Sequence, residues 1–233
     1  MLFGQDFDKI SITLGNYHIL EPNVFITDTI MAGVSLLLSF YLLQKKSKTE
    51  FSRYWFLFFF VYGISSFVGG LGHALFYYFG VPGKFFTWIT GIISIYFIER
   101  AMIAVIKEER LYSLLKRLAF SKLLFVFAVF SLVCITQPIV EKPSIGFLPV
   151  AINTIIGVIL SAGILGYRFS KRIHKDFKYF YYGVLIMVPS AVIFLAKINP
   201  HPWFDKNDLS HVLLTIGIIY FYVGIEKTRE LVR

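Results

Sequence analysis

Residues 67–80 read FVGGLGHALFYYFG. A single imidazole, His73, stands near the end of an otherwise apolar run, and Gly69, Gly70 and Gly72 come just before it. Glycines let a neighbouring helix approach closely when helices pack in lipid. A histidine behind such a thinned wall is a candidate ligand position, and the run closes a longer apolar stretch, 54–79, that points to a membrane span.

The rest of the chain extends that reading. Hydrophobic residues make up 57% of 233, charged residues only 16%, and mean hydropathy is +0.69. A soluble domain carries about a quarter charged residues, so much of this surface faces lipid. Crossing the hydrocarbon core takes roughly 20 apolar residues. Seven stretches qualify: 23–43, 54–79, 83–106, 122–138, 147–169, 177–197 and 209–225. The expected fold is an all-α integral membrane protein, a seven-transmembrane-helix bundle. It has an outer segment at 1–22, a membrane domain at 23–225 and a cytoplasmic tail at 226–233. Prolines fall at the span ends, and only Pro189 falls inside one, where it predicts a kink in the sixth helix.

Lys and Arg set the orientation. Eighteen of the 23 lie in the loops 44–53, 99–122 and 168–178 and in the tail, and the other five (Lys9, Lys84, Lys142, Lys197, Lys206) lie on the opposite side. The positive-inside rule then places the N-terminus outside and the C-terminus in the cytoplasm. The net charge of +9 thus faces the cytoplasmic lipid surface and calls for no nucleic acid. Residues 1–22 lack a basic run followed by a short apolar core, which argues against a cleaved signal peptide. The one cysteine, Cys134, excludes an intrachain disulfide. Residues 107–120, KEERLYSLLKRLAF, form an amphipathic cytoplasmic unit that either lies in the headgroup region or extends a helix of the bundle. The aromatic runs Phe56 to Phe60 and Tyr179 to Tyr182 read as interfacial belt and lipid-facing surface. Glu99 and Arg100 read as snorkelling residues at the inner end of the third span. Nothing in the sequence sets an oligomeric state.

Ionisable groups inside spans are the functional clues. Asp, Lys or Arg at the bilayer centre costs about 2.5–3.5 kcal/mol on insertion scales. Asp28 of the first helix, His73 of the second, and Asp208 and His211 of the seventh share one layer near the outer surface. Asp208 and His211, three apart, lie on one helical face. Two carboxylates and two imidazoles can form a zinc shell. Zinc held by His73, His211 and an aspartate would activate a water against a lipid amide or ester, with the other aspartate as base. In that reading membrane lipid is both surroundings and substrate, and Asp28 and Asp208 are the catalytic candidates. The same layer equally suits a receptor or transport protein that binds a small ligand or passes protons, and a structural polar cluster is the third option. In that last case Asp28 meets the helix dipole, Asp208 acts as an N-cap and His73 bonds a backbone carbonyl. Glu21 and Asn23 extend the layer or cap the first helix. His201, in the last outer loop, is either a further ligand or a solvent-exposed residue, and His18 and His174 read as loop residues. The last span lacks a Schiff-base lysine, which disfavours a retinal protein.

Three segments resemble the alkaline ceramidases and progestin–adipoQ receptors, grouped as the CREST superfamily: LEPN at 20–23, VGGLGHALF at 68–76 and NDLSHVLLTIG at 207–217. The resemblance implies a seven-helix fold, with His73 and His211 as zinc ligands and calcium near Glu21 and Asn23. It also marks departures. Asn207 stands at the first helix-seven histidine position, Gly69 at a serine position, and 81–95 lacks the expected aspartate. Asp28 or Asp208 would therefore have to complete the metal shell.

Overall fold

The computed structural model describes residues 1–45 and 49–232. Lys46, Lys48 and Arg233, three of the basic residues used above for orientation, lie outside the described residues. Among those described, seven helices are long and apolar enough to cross a membrane: Pro22–Gln44, Glu50–Ala74, Pro82–Ile103, Glu109–Thr136, Pro143–Arg172, Lys175–Leu195 and Lys206–Leu231. We number the α-helical segments α1 (Pro22–Gln44), α2 (Glu50–Ala74), α3 (Phe76–Phe79), α4 (Pro82–Ile103), α5 (Glu109–Thr136), α6 (Pro143–Val158), α7 (Gly166–Arg172), α8 (Lys178–Leu195) and α9 (Lys206–Thr228).

Local chemistry explains the ends. Pro22, Pro82 and Pro143 open α1, α4 and α6, where the missing amide proton costs nothing. The Thr49 side chain caps α2 by accepting from the Ser52 amide at 3.2 Å. Asp205 and Asp208 close a capping box at the start of α9. The first twenty residues are not a featureless outer tail. Ser11–Leu14 (β1) and Tyr17–Leu20 (β2) pair antiparallel around Gly15 at φ +61°, the left-handed conformation that a two-residue hairpin turn requires.

Several expectations change. The second span ends at Ala74, short of the expected residue 79, and the chain then folds into α3, so His73, expected near the end of the span, lies in the last turn of α2. The amphipathic stretch 107–120 is no separate headgroup helix. From Glu109 onward it runs unbroken into α5, 28 residues or about 42 Å at 1.5 Å per residue. α6 begins at Pro143, so Pro149, like Pro189, lies inside a helix. The fifth span also carries a π-helical segment, Ile159–Leu165, that joins α6 to α7.

Packing follows membrane rules, in which close fit rather than water exclusion holds helices together. α1 lies between α2 and α9. α8 crosses α9 backbone to backbone: a methyl on Gly183 would stand 2.8 Å from the Gly217 carbonyl oxygen. Trp55 is fully buried, stacked on Phe180 at 5.3 Å and beside Phe221 at 5.4 Å. Phe58, Phe59 and Phe180 are core residues too. Phe58 and Phe59 of the first aromatic run and Phe180 of the second therefore pack inward instead of facing lipid, because one helical face of each run meets the neighbouring span.

Candidate functional site

The three glycines of the 67–80 stretch each meet a neighbour. A methyl on Gly70 would stand 2.9 Å from Asp28 Cβ, one on Gly69 3.0 Å from Thr87 Oγ1, and one on Gly72 3.0 Å from the Gly83 carbonyl oxygen. α2 therefore brings α1 and α4 against it at the level of the polar layer.

The layer divides into two clusters. The first centres on His73. Glu21, the residue before α1, has a left-handed backbone (φ 49°, ψ 53°) and makes no capping bond to the helix. Its Oε2 instead accepts from Lys9 Nζ at 2.9 Å and meets His73 Nδ1 at 2.9 Å. Lys84 Nζ lies 3.4 Å from His73 Nε2. These contacts fix the ring. Nδ1–H donates to the carboxylate, and the Nε2 lone pair turns to the ammonium. Burial alone would raise the Glu21 carboxyl, but the hydrogen bond from His73 and the Lys9 ammonium outweigh it and bring its pKa down to about 2.

The second cluster joins α1 to α9. Asp208 is fully buried. Its Oδ2 accepts from Asn23 Nδ2 at 2.6 Å and from the Asp205 amide at 2.9 Å. Its Oδ1 faces Thr27 Oγ1 at 2.9 Å, and the same hydroxyl meets His211 Nδ1 at 3.0 Å. A carboxylate only accepts, so the Thr27 hydroxyl donates to Asp208 and must accept from His211 Nδ1–H. Proton placement on the ring is thus assigned from its partners. It leaves His211 Nε2 facing Asp28 Oδ1 at 3.5 Å. Either Nε2 is bare and Asp28 is the acid, or Nε2 is protonated and Asp28 is the carboxylate. One proton belongs to the pair in both cases.

The four residues proposed as one metal shell do not converge. Asp28 and His211 face each other, Asp208 reaches His211 only through Thr27, and His73 is committed to Glu21 and Lys84. Among the described residues, no group of three or more His, Cys, Asp or Glu side chains is placed to hold a metal ion. The donor set thus does not fit zinc, which takes four ligands, at least three of them from the protein. Glu21 and Asn23 turn to different partners, His73 and Asp208, and do not form an oxygen cage for calcium. Asp208 is the third residue of the capping box and not the N-cap itself, which is Asp205. His201 is exposed and accepts from the Trp203 amide at 3.1 Å. His18 belongs to β2, and its amide donates to Tyr78 Oη at 2.9 Å. Lys9, Thr27 and Lys84 are the residues that sequence reasoning missed. Lys84 was visible as a cation beside an apolar span, whereas Thr27 carries no signal that distinguishes it from any helix threonine.

Glu99 and Arg100 do not snorkel, since they are 8% and 4% exposed. The Arg100 guanidinium stacks on Tyr54 at 4.5 Å, donates to Tyr96 Oη at 3.0 Å and lies 3.6 Å from Glu50 Oε1. Glu99 pairs with Lys122 of α5.

The chain belongs to the DUF6962 family, a family of unknown function, whose sequence profile matches residues 23–230. No curated protein and no solved structure matches it.

Proposed function

We propose that this is a multi-pass membrane protein of the transport or receptor type, and not an enzyme, which takes up and releases a proton or a proton-bearing small ligand in its polar layer. The N-terminus lies outside and the C-terminus in the cytoplasm, in keeping with the eighteen of the 23 Lys and Arg that fall in the sequence segments 44–53, 99–122 and 168–178 and after 225. The observation that carries the reading is the Asp28–His211 pair. It bridges the first and last spans with Asp28 buried and His211 partly so, and Thr27 and Asp208 hold the far side of the imidazole. Acid–imidazole pairs inside spans are the groups from which membrane proton relays are built.

A metal-activated hydrolase is the weaker reading. His211 and Asp28 could supply two donors, but a third is lacking because Glu21 and Lys84 hold His73. The deciding experiment is a liposome flux assay with an internal pH dye, wild type against Asp28→Asn, alongside hydrolysis of lipid amides and esters. Flux lost in Asp28→Asn with no hydrolysis supports the proposal. Hydrolysis that depends on Asp28 and His211, without flux, overturns it.

A further inference from the structure

A second set of charged groups lies deep in the bundle, apart from the outer layer. Glu99 of α4 is 8% exposed, and its Oε1 pairs with the Lys122 ammonium of α5. Gly157 of α6 forms the floor. A methyl there would stand 2.9 Å from Glu99 Oε1 and 3.2 Å from Lys122 Nζ, and would overlap Ile95. Three spans therefore converge on one ion pair. A side chain at this position would press on Ile95 and on the pair, so glycine permits their close approach.

Among the buried polar atoms without a hydrogen-bond partner are Glu99 Oε2, an acceptor, and Asn153 Nδ2, a donor, with Asn153 only 4% exposed; the neighbouring Arg100 Nε and Nη2 are others. The α4–α6 register relates them. A methyl on Gly146 would touch Trp88, one on Gly91 would touch Val150, and one on Gly157 would touch Glu99. Asn153 therefore lies about level with Ser94 and Ile95, one turn from Glu99. Helical side chains lean toward the N-terminus of their helix, so the long Glu99 side chain reaches to that level. The Ser94 hydroxyl is already committed to the Gly91 carbonyl at 2.8 Å, and the Ser161 hydroxyl to the Gly157 carbonyl at 2.5 Å. An unsatisfied donor and an unsatisfied acceptor thus remain beside one ammonium. Burying either without a partner costs about 1–3 kcal/mol, and one water is the smallest molecule that answers both. The π-helical segment begins two residues beyond Gly157, and such bulges collect at functional sites.

We propose that Glu99, Lys122 and Asn153 form an inner proton-binding site that holds one water. The water accepts from Asn153 Nδ2–H and donates to Glu99 Oε2. An incoming proton bonds to Oε2, the new O–H donates to the water, and the pair then carries the single positive charge of Lys122. Release reverses the step with no other bond made or broken. The charged groups around Glu99 are Lys122 from α5 and, one residue along α4, Arg100. α2 contributes Tyr54 and Glu50, which hold Arg100 rather than Glu99. α6 and the π segment contribute no ionisable group.

The test is pH-difference infrared spectroscopy of the full chain in lipid nanodiscs, with isotope-labelled glutamate. It uses wild type, Glu99→Gln, Asn153→Leu and Asp28→Asn. The proposal expects a protonated-carboxyl band at low pH that moves with the glutamate label, shifts in Asn153→Leu, vanishes in Glu99→Gln and survives in Asp28→Asn. A band that survives Glu99→Gln in folded protein, or keeps its position in Asn153→Leu, overturns it. If Glu99→Gln does not fold, the label and Asn153→Leu still decide. Survival in Asp28→Asn separates this site from the outer one, so it can stand even where the flux proposal fails.

Discussion

Thr27→Val removes one hydroxyl and keeps the β-branched shape, so helix propensity and packing volume barely change. In the native protein that oxygen links the two functional spans, since it donates to Asp208 Oδ1 at 2.9 Å and accepts from His211 Nδ1 at 3.0 Å. Valine breaks both bonds and strands a ring N–H. In water-soluble proteins a bond to a charged group is worth about 1.5–3 kcal/mol, and a stranded buried donor costs about 1–3 kcal/mol. Inside membranes the measured values are smaller, about 0.6 kcal/mol on average and about 1.7 at most, because the unfolded state in lipid also finds partners. A loss of about 1–2 kcal/mol is therefore expected, or roughly a 5- to 30-fold change in the folded ratio. Reversible unfolding in detergent micelles measures it, with Thr27→Ser restoring most of the loss. The reasoning turns on coupling. In a double-mutant cycle with His211→Leu, the histidine change should cost less in the valine background, by at least about 0.5 kcal/mol. Strict additivity would refute the relay through Thr27, and with it the assignment of the His211 proton to Nδ1.

Three further outcomes follow from the same geometry. Glu21 has a folded pKa of about 2 against an ordinary 4.5. Its contribution, at most about 3 kcal/mol, is therefore complete above the ordinary value and lost as pH falls toward the folded one. Thermal melting of Glu21→Gln should show a shallower acid limb than wild type, and parallel limbs would contradict the pairing with His73 and Lys9. Gly70→Ala should cost about 1–3 kcal/mol, since its methyl meets Asp28 Cβ at 2.9 Å, whereas Gly33→Ala, with nothing within 4 Å, should be neutral or gain up to about 1 kcal/mol; equal effects would mean α1 and α2 do not meet at Gly70. Purified protein should hold no stoichiometric zinc, and His73→Ala with His211→Ala should not change the metal content. Zinc lost only in the double variant would restore the metal shell.

The seven spans were legible because hydropathy measures how much chain must sit in lipid. Their ends were not, because the same signal is blind to helix that projects beyond the lipid. Glu50–Arg53 and Glu109–Arg117 carry charges that end a hydropathy run yet are helical, since a cap such as Thr49 and continuity with an apolar run suffice to extend a helix beyond it. The hairpin escaped notice for a related reason. Its strands are four residues each and mostly exposed, too short for alternation to stand out from a loop.

The polar layer was legible in depth and not in azimuth. Asp28, His73, Asp208 and His211 stand out because each interrupts an apolar run, and counting residues from a span end gives their level. Which of them meet depends on how each helix is rotated and on what precedes it. Glu21 shows this most clearly. Its left-handed backbone turns the carboxylate away from the α1 N-terminus toward α2, while Asn23 and Thr27, further along α1, face α9. His73 is thereby satisfied from outside the bundle, and His211 is left to Asp28. Lys84 adds to the division, because an ammonium already lies against the His73 nitrogen that a metal would need. A single shell of four ligands and two separate acid–imidazole pairs require the same residue types at the same depth. The choice between them rests on one backbone conformation at residue 21 and on where one cation at residue 84 points, and hydropathy reports neither.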